Sequence, residues 1–176
     1  RDGYTFTGWY TAANGGTQIT KDTKVEVTSD QTIYAHWTAN SYAVTFNADG
    51  GTVTANTKTV TFGNAYGELP TPTRSGYTFA GWNTQPDGKG TFYEENAYVK
   101  NLTKKADEVV TLYAQWKAAQ YQITYNLNGG KNNKKNPKTY KITSKTIKLS
   151  NPSKKGYVFK GWYRDKKCTR KVTSIK

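Results

Sequence analysis

Basic side chains crowd one part of this sequence. Lys131, Lys134, Lys135, Lys138, Lys141, Lys145 and Lys148 fall within 18 residues, and Lys154, Lys155, Lys160, Arg164, Lys166 and Lys167 follow. Residues 121–176 carry sixteen basic side chains against one acid, Asp165, a balance of +15. Residues 1–38 balance at −1 and residues 39–120 at 0, so the whole basic excess of the chain sits at one end. A field of that size attracts polyanions at low salt. Lysines are point charges on flexible stems and lack the planar fork that selects one phosphate or carboxylate geometry, so such binding has modest specificity. The competing reading is a solvated face, which charge runs commonly form. Acids offset the basic residues elsewhere in the chain, which makes their absence here informative. With Lys160 set aside, these residues are the candidate contacts for teichoic acid, a glycosaminoglycan or nucleic acid.

Other chemistries find less support. His36 is the single histidine, and its counterpart in the next repeat is Gln115, which cannot replace a general base or a metal ligand; an exposed strand residue is expected. No His/Cys cluster has metal-site spacing. Asp49 beside Gly50-Gly51 and Asp87 beside Gly88 lack the alternating oxygen ligands and closing Glu of a calcium loop, and read as turns. Cys168, among Lys166, Lys167, Arg170 and Lys171, would have a lowered thiol pKa if exposed, yet no histidine lies nearby in sequence. One cysteine excludes an intrachain disulfide. Gly50-Gly51 and Gly129-Gly130 lack the Lys-Ser/Thr of a phosphate loop. The sequence implies no catalytic residue, cofactor or metal, and no apolar run long enough for a membrane span.

The elements that must carry these side chains are repeated. Gly3-Tyr4-Thr5-Phe6-Thr7-Gly8-Trp9 returns as Gly76-Tyr77-Thr78-Phe79-Ala80-Gly81-Trp82 and as Gly156-Tyr157-Val158-Phe159-Lys160-Gly161-Trp162. Thr32-Ile33-Tyr34-Ala35-His36-Trp37 returns 79 residues later as Thr111-Leu112-Tyr113-Ala114-Gln115-Trp116. Tyr42-Ala43-Val44-Thr45-Phe46-Asn47 returns, also 79 on, as Tyr121-Gln122-Ile123-Thr124-Tyr125-Asn126. Such a fixed period marks a tandem array. Residues 1–38 read as the C-terminal half of a module, 42–117 as a complete module, and 121–176 as a truncated, strongly basic module. The chain opens inside a repeat and reads as a fragment. By its own ruler the third module lacks its last strand, so both ends leave sheet edges that invite pairing between molecules, Ile33 to Trp37 of one filling the gap in another.

Within the complete module, Tyr42, Val44 and Phe46 line one face of a first strand. Asp49-Gly50-Gly51 supplies the positive-φ positions of a tight hairpin. Thr57 to Phe62 returns with Val60 and Phe62 inward, and Tyr140 and Ile142 are their counterparts. Gly63 to Pro72 crosses over, with room for a short helical turn around Tyr66 to Leu69. In Tyr77 to Trp82 the Tyr and Phe lie on one face and the Trp on the other, as core rather than ligand platform. Leu112, Ala114 and Trp116 form the inward face of the last strand, as do Ile33, Ala35 and Trp37. With 35% hydrophobic but 14% aromatic residues, each core is built from a few large rings.

The ordered motifs Tyr-x-[Val/Ile]-Thr-[Phe/Tyr]-Asn-x-x-Gly-Gly, Gly-Tyr-x-Phe-x-Gly-Trp and Thr-[Ile/Leu]-Tyr-Ala-x-Trp resemble the Listeria–Bacteroides repeats, or internalin-type B repeats. The resemblance covers nearly the whole chain. It implies an α+β, β-rich fold of small ubiquitin-like β-grasp modules, placed extracellularly on the bacterial cell surface as non-enzymatic spacers or adhesive segments. The partners implied are neighbouring repeats, and the basic cluster, rather than the resemblance, points to an anionic polymer of the cell wall or host surface.

Overall fold

The computed structural model describes residues 1–175, and these form two compact units: Arg1–Arg74 with Phe79–Trp116, and Ser75–Thr78 with Lys117–Lys176. Among the described residues every regular element is a strand. This corrects the α+β, β-grasp expectation: the fold is all-β. The crossover meant for a helical turn shows why. Gly63 and Gly67 take φ of 89° and 70°, Pro70 and Pro72 close the segment, and the Tyr66 amide bonds the Val99 carbonyl at 2.9 Å. Left-handed glycines and prolines both break a helix, and Pro70 has no N–H to return to the Tyr66 carbonyl.

In the first unit, β1 (Tyr4–Tyr10), β2 (Gln18–Ile19) and β3 (Tyr34–Ala39) form an antiparallel sheet in the order β2-β1-β3. The β1–β3 register pairs Phe6 with Trp37 and then Gly8 with His36, which leaves Thr7 as a bulge residue. Gly8 sits at φ 142°, and Gly81 and Gly161 repeat it at 143° and 145°. An extra residue resets the alternation of a strand. Phe6 and Trp9 therefore meet edge to face at 5.5 Å, and Phe79 meets Trp82 at 5.3 Å. Strict alternation had set the Phe and Trp on opposite faces, and the bulge brings them together.

The main sheet has β4 (Ser41–Asn47), β5 (Thr57–Thr61), β6 (Tyr77–Asn83), β7 (Phe92–Tyr93) and β8 (Val109–Ala118), in the order β5-β4-β8-β6-β7. β4 pairs antiparallel with β5 and parallel with β8. Tyr42, Val44 and Phe46 turn inward at alternate positions and meet Val60, Tyr66, Leu69, Trp82, Val99, Leu112 and Ala114 in one core. Trp82 is wholly enclosed, and its indole donates to the Pro70 carbonyl at 3.1 Å. The tight turn takes its positive φ at Asp49 and Gly50. Gly51 serves a different need, since a Cβ there would lie 2.6 Å from the Trp116 ring.

The second unit rebuilds this pattern with shorter strands: β9 (Gln120–Gln122) with β10 (Thr139–Lys141), β11 (Ile147–Lys148) with β14 (Ser174–Ile175), and β12 (Trp162–Tyr163) with β13 (Lys171–Val172). Asn128 and Gly129 repeat the turn at φ 45° and 78°. The Lys131–Ser153 bridge repeats Thr52–Thr73. Trp162 donates to Ser150 at 3.1 Å and meets Phe159 at 5.3 Å, as Trp82 does with Pro70 and Phe79. Contacts match while burial does not. Trp9 is 46% exposed and Trp162 only half-buried. Ile33 and Trp37 are also more open than Leu112 and Trp116, and Ile142, read as inward, lies in a turn with half its surface in solvent.

A lysine-rich candidate surface

The loop from Lys131 to Lys138 follows the Asn128-Gly129 turn and is pinned by asparagines. Asn136 is buried: its amide donates to the Ser150 carbonyl at 2.9 Å and to Asn132 Oδ1 at 2.8 Å, and its Oδ1 accepts the Ser150 amide at 2.7 Å. Asn133 donates to the Asn151 carbonyl at 3.1 Å and accepts the Lys135 amide at 3.0 Å. Both side-chain polar atoms of Asn136 are used inward, and the lysines around these asparagines face solvent. Lys131, Lys134, Lys135 and Lys138 are all exposed.

Lys141 ends β10 and is also exposed. A turn closed by the Ser144 hydroxyl on the Lys141 amide, at 2.9 Å, then presents Lys145. Lys148 follows on β11. Lys154 is engaged: its Nζ donates to the Asn128 carbonyl at 2.7 Å and stands 4.4 Å from the Tyr157 ring centroid. Lys155 is exposed, and Arg164, Lys166 and Lys167 belong to the segment joining β12 to β13. Among the described residues none of the twelve candidates is ion-paired. Asp165, the one acid of the segment, is turned to its own loop. It accepts the Thr169 amide and hydroxyl at 3.0 Å each and the Arg170 amide at 2.7 Å, and these bonds hold its carboxyl below the usual carboxylate range.

Two tyrosines escaped sequence reasoning as site residues. Tyr121 and Tyr140, cross-strand partners in β9 and β10, set their rings 5.3 Å apart beside Lys141 and Lys145. They line a cavity of about 230 Å³. The available signal was that the register pairing Tyr42 with Val60 becomes a pair of tyrosines here.

The remaining candidates are structural in their contacts. His36 is part-buried rather than exposed: its ring stacks on Tyr10 at 3.9 Å and its Nε2 lies 2.8 Å from the Ala12 carbonyl. Cys168, at φ 56°, takes the left-handed place of Gly88 at 76°. The amides of both close the same four-residue turn, on Asp165 and on Gln85. Asp87 bonds the Lys89 amide and ion-pairs with its ammonium. Among the described residues no group of three or more His, Cys, Asp or Glu is placed to hold a metal, and no helix is long and apolar enough to cross a membrane.

The sequence pattern of the Listeria–Bacteroides repeat domain matches residues 1–36, 42–115 and 121–176. The chain is 36% identical over 180 residues to a Gly-rich membrane protein of Evansella cellulosilytica, covering 96% of this chain and 20% of that protein. It is 40% identical over 116 residues to internalin H of Listeria monocytogenes, covering 66% of this chain and 20% of internalin H. The chain thus spans about a fifth of the length of these relatives. No solved structure matches it.

Proposed function

We propose that this chain, which belongs to the Listeria–Bacteroides repeat domain family, is a non-enzymatic repeat segment of a bacterial surface protein that spaces or attaches other parts of that protein outside the cell. The observation that carries this reading is the reuse of the same turn, bridge, positive-φ glycine and Trp–Phe contact along the chain. Repeated scaffolding suits a part whose value is its length and number. The names of the relatives, a membrane protein and an internalin, agree with a place at the cell envelope. We read the segment as three modules, 1–38, 42–117 and 121–176. Exchange of residues 1–176 within the parent protein for an unrelated all-β array of equal length tests the spacer role. Surface display of the flanking parts, read by antibody accessibility, should survive the exchange and fall on simple deletion.

A second reading rests on a separate observation: the twelve exposed cations of the third module have no acid partner among the described residues. In this reading the module binds an anionic polymer of the cell wall or host surface. Replacement of Lys134, Lys135, Lys138 and Lys141 by Gln should leave the fold intact and weaken binding of heparin several-fold at low salt. It should also flatten the dependence on ionic strength, since exposed charges are screened within about 8 Å at physiological salt. Equal affinities of the two proteins across a salt series would return the lysines to a solvated face.

A further inference from the structure

In the first unit the Tyr66 ring fills the core beside Tyr42, the two hydroxyls are hydrogen-bonded, and the Leu102 amide donates to both, at 2.9 Å and 3.1 Å. The crossover of the second unit aligns with this one through Leu149 for Leu69 and Pro152 for Pro72. That alignment puts Thr146, exposed, where Tyr66 stands. Tyr121, the counterpart of Tyr42, is 40% exposed where Tyr42 is 2%. A cavity of about 230 Å³ lies beside Tyr121, lined also by Tyr140, Ile142 and Ile147 and by Lys141 and Lys145. Its size is below the range of roughly 300–1,000 Å³ typical of pockets for drug-sized ligands, and suits a single ring.

We propose that this cavity holds one sugar ring bearing a carboxylate, so that the anionic polymer bound by the third module is an acidic polysaccharide. The inference rests on the polyanion reading and narrows it. An aromatic face is electron-rich and a ring edge electron-poor, so the weakly positive C–H groups of a pyranose settle on a tyrosine face. Tyr121 and Tyr140 offer two such rings tilted by 33°, and among the described residues neither hydroxyl is hydrogen-bonded within the protein, leaving both for sugar hydroxyls. Lys141 and Lys145 supply charge for the carboxylate at the edge of the same cavity, and Asp165 is occupied with its own loop. A bare polyphosphate would use the lysines and leave the rings unused. The ring pair is therefore the feature that separates the two kinds of polymer.

The test is calorimetric titration of the 176-residue chain with an oligomer of uronic acid and with inorganic polyphosphate of equal charge. The wild type should bind the uronate more tightly. Tyr121→Leu keeps an apolar side chain in the cavity and should weaken uronate binding about tenfold, the scale of a lost aromatic stack, with polyphosphate binding unchanged. Tyr140→Leu removes the other ring of the pair and should weaken uronate binding at least as much. That second variant keeps the test decisive if Tyr121→Leu disturbs β9. Uronate affinity unmoved by both substitutions, or both probes weakened alike, overturns the cavity while leaving salt-sensitive polyanion binding standing. Failure of the uronate alone to bind the wild type overturns the cavity, and failure of both probes overturns both readings.

Discussion

Tyr66 shows how a polar atom is accommodated in a core made of rings. Its hydroxyl lies beside that of Tyr42, and both receive the Leu102 amide. Burial first, and then the bond with Tyr42, raise its ionisation far above the tyrosine norm, which is about 10. With the folded-state pKa raised, the unfolded chain releases this proton first as pH climbs. Stability should therefore be level up to about pH 10 and fall beyond it, by up to roughly 1.4 kcal/mol per pH unit for this group. Tyr66→Phe should cost about 1 kcal/mol at neutral pH, because the Leu102 amide keeps the Tyr42 oxygen as acceptor. It should also make the alkaline fall shallower but not abolish it, since burial raises Tyr93 as well. Urea denaturation of both proteins from pH 7 to 11 reads the two effects, and parallel alkaline falls would refute the assignment. Nothing in the sequence singled out this hydroxyl pair. Tyr66 stands in a Gly/Pro-punctuated crossover with no strand alternation to aim it inward, and only the fold brings it to Tyr42, 24 residues back in the chain.

At the scale of elements, local pattern was readable where period 2 held and failed where a single residue broke it. β4 runs Tyr42, Val44, Phe46 into the core as its alternation requires. In β1 and β6 the glycine before the tryptophan takes φ near 142°, and this is where alternation misassigned the Trp face. A Cβ on Gly81 would collide with the Tyr93 carbonyl, so the glycine lets β7 approach β6 closely. The lysine-rich loop hid its order in its asparagines, which composition alone presents as polar filler. Asn136→Ala would strip the Ser150 amide of its acceptor and remove two donated bonds. It should cost about 2 kcal/mol and speed amide exchange through residues 131–138, whereas Lys134→Gln should change stability by less than about 0.5 kcal/mol. Unchanged exchange at Lys135 in the Asn136 variant would show that the loop is held by something else.

The two units differ in what holds them. The first has ten buried apolar residues gathered around Trp82 and Leu112. Among the described residues of the second, the only buried side chain is Asn136, and Tyr125, Phe159 and Trp162 remain half-exposed contacts of a thinner core. A core that small is marginal alone, and the charge of +15 on residues 121–176 adds self-repulsion. The repeat pattern foretold equal modules because it registers residue type at motif positions. It could not register that Tyr66 has given way to Thr146, which changes how much of the core is filled. Heating should therefore give two calorimetric transitions, the lower belonging to Lys117–Lys176 and rising with salt as repulsion is screened, the upper barely moving. A polyanion at a hundredfold its dissociation constant should stabilise the second unit by about 2.7 kcal/mol. For a unit of this size that is a shift of roughly 10 °C or more, confined to the lower transition. One merged transition that moves as a whole would show that the units fold as a single cooperative body. Two transitions raised equally by the polymer would show that the lysines are not where it binds.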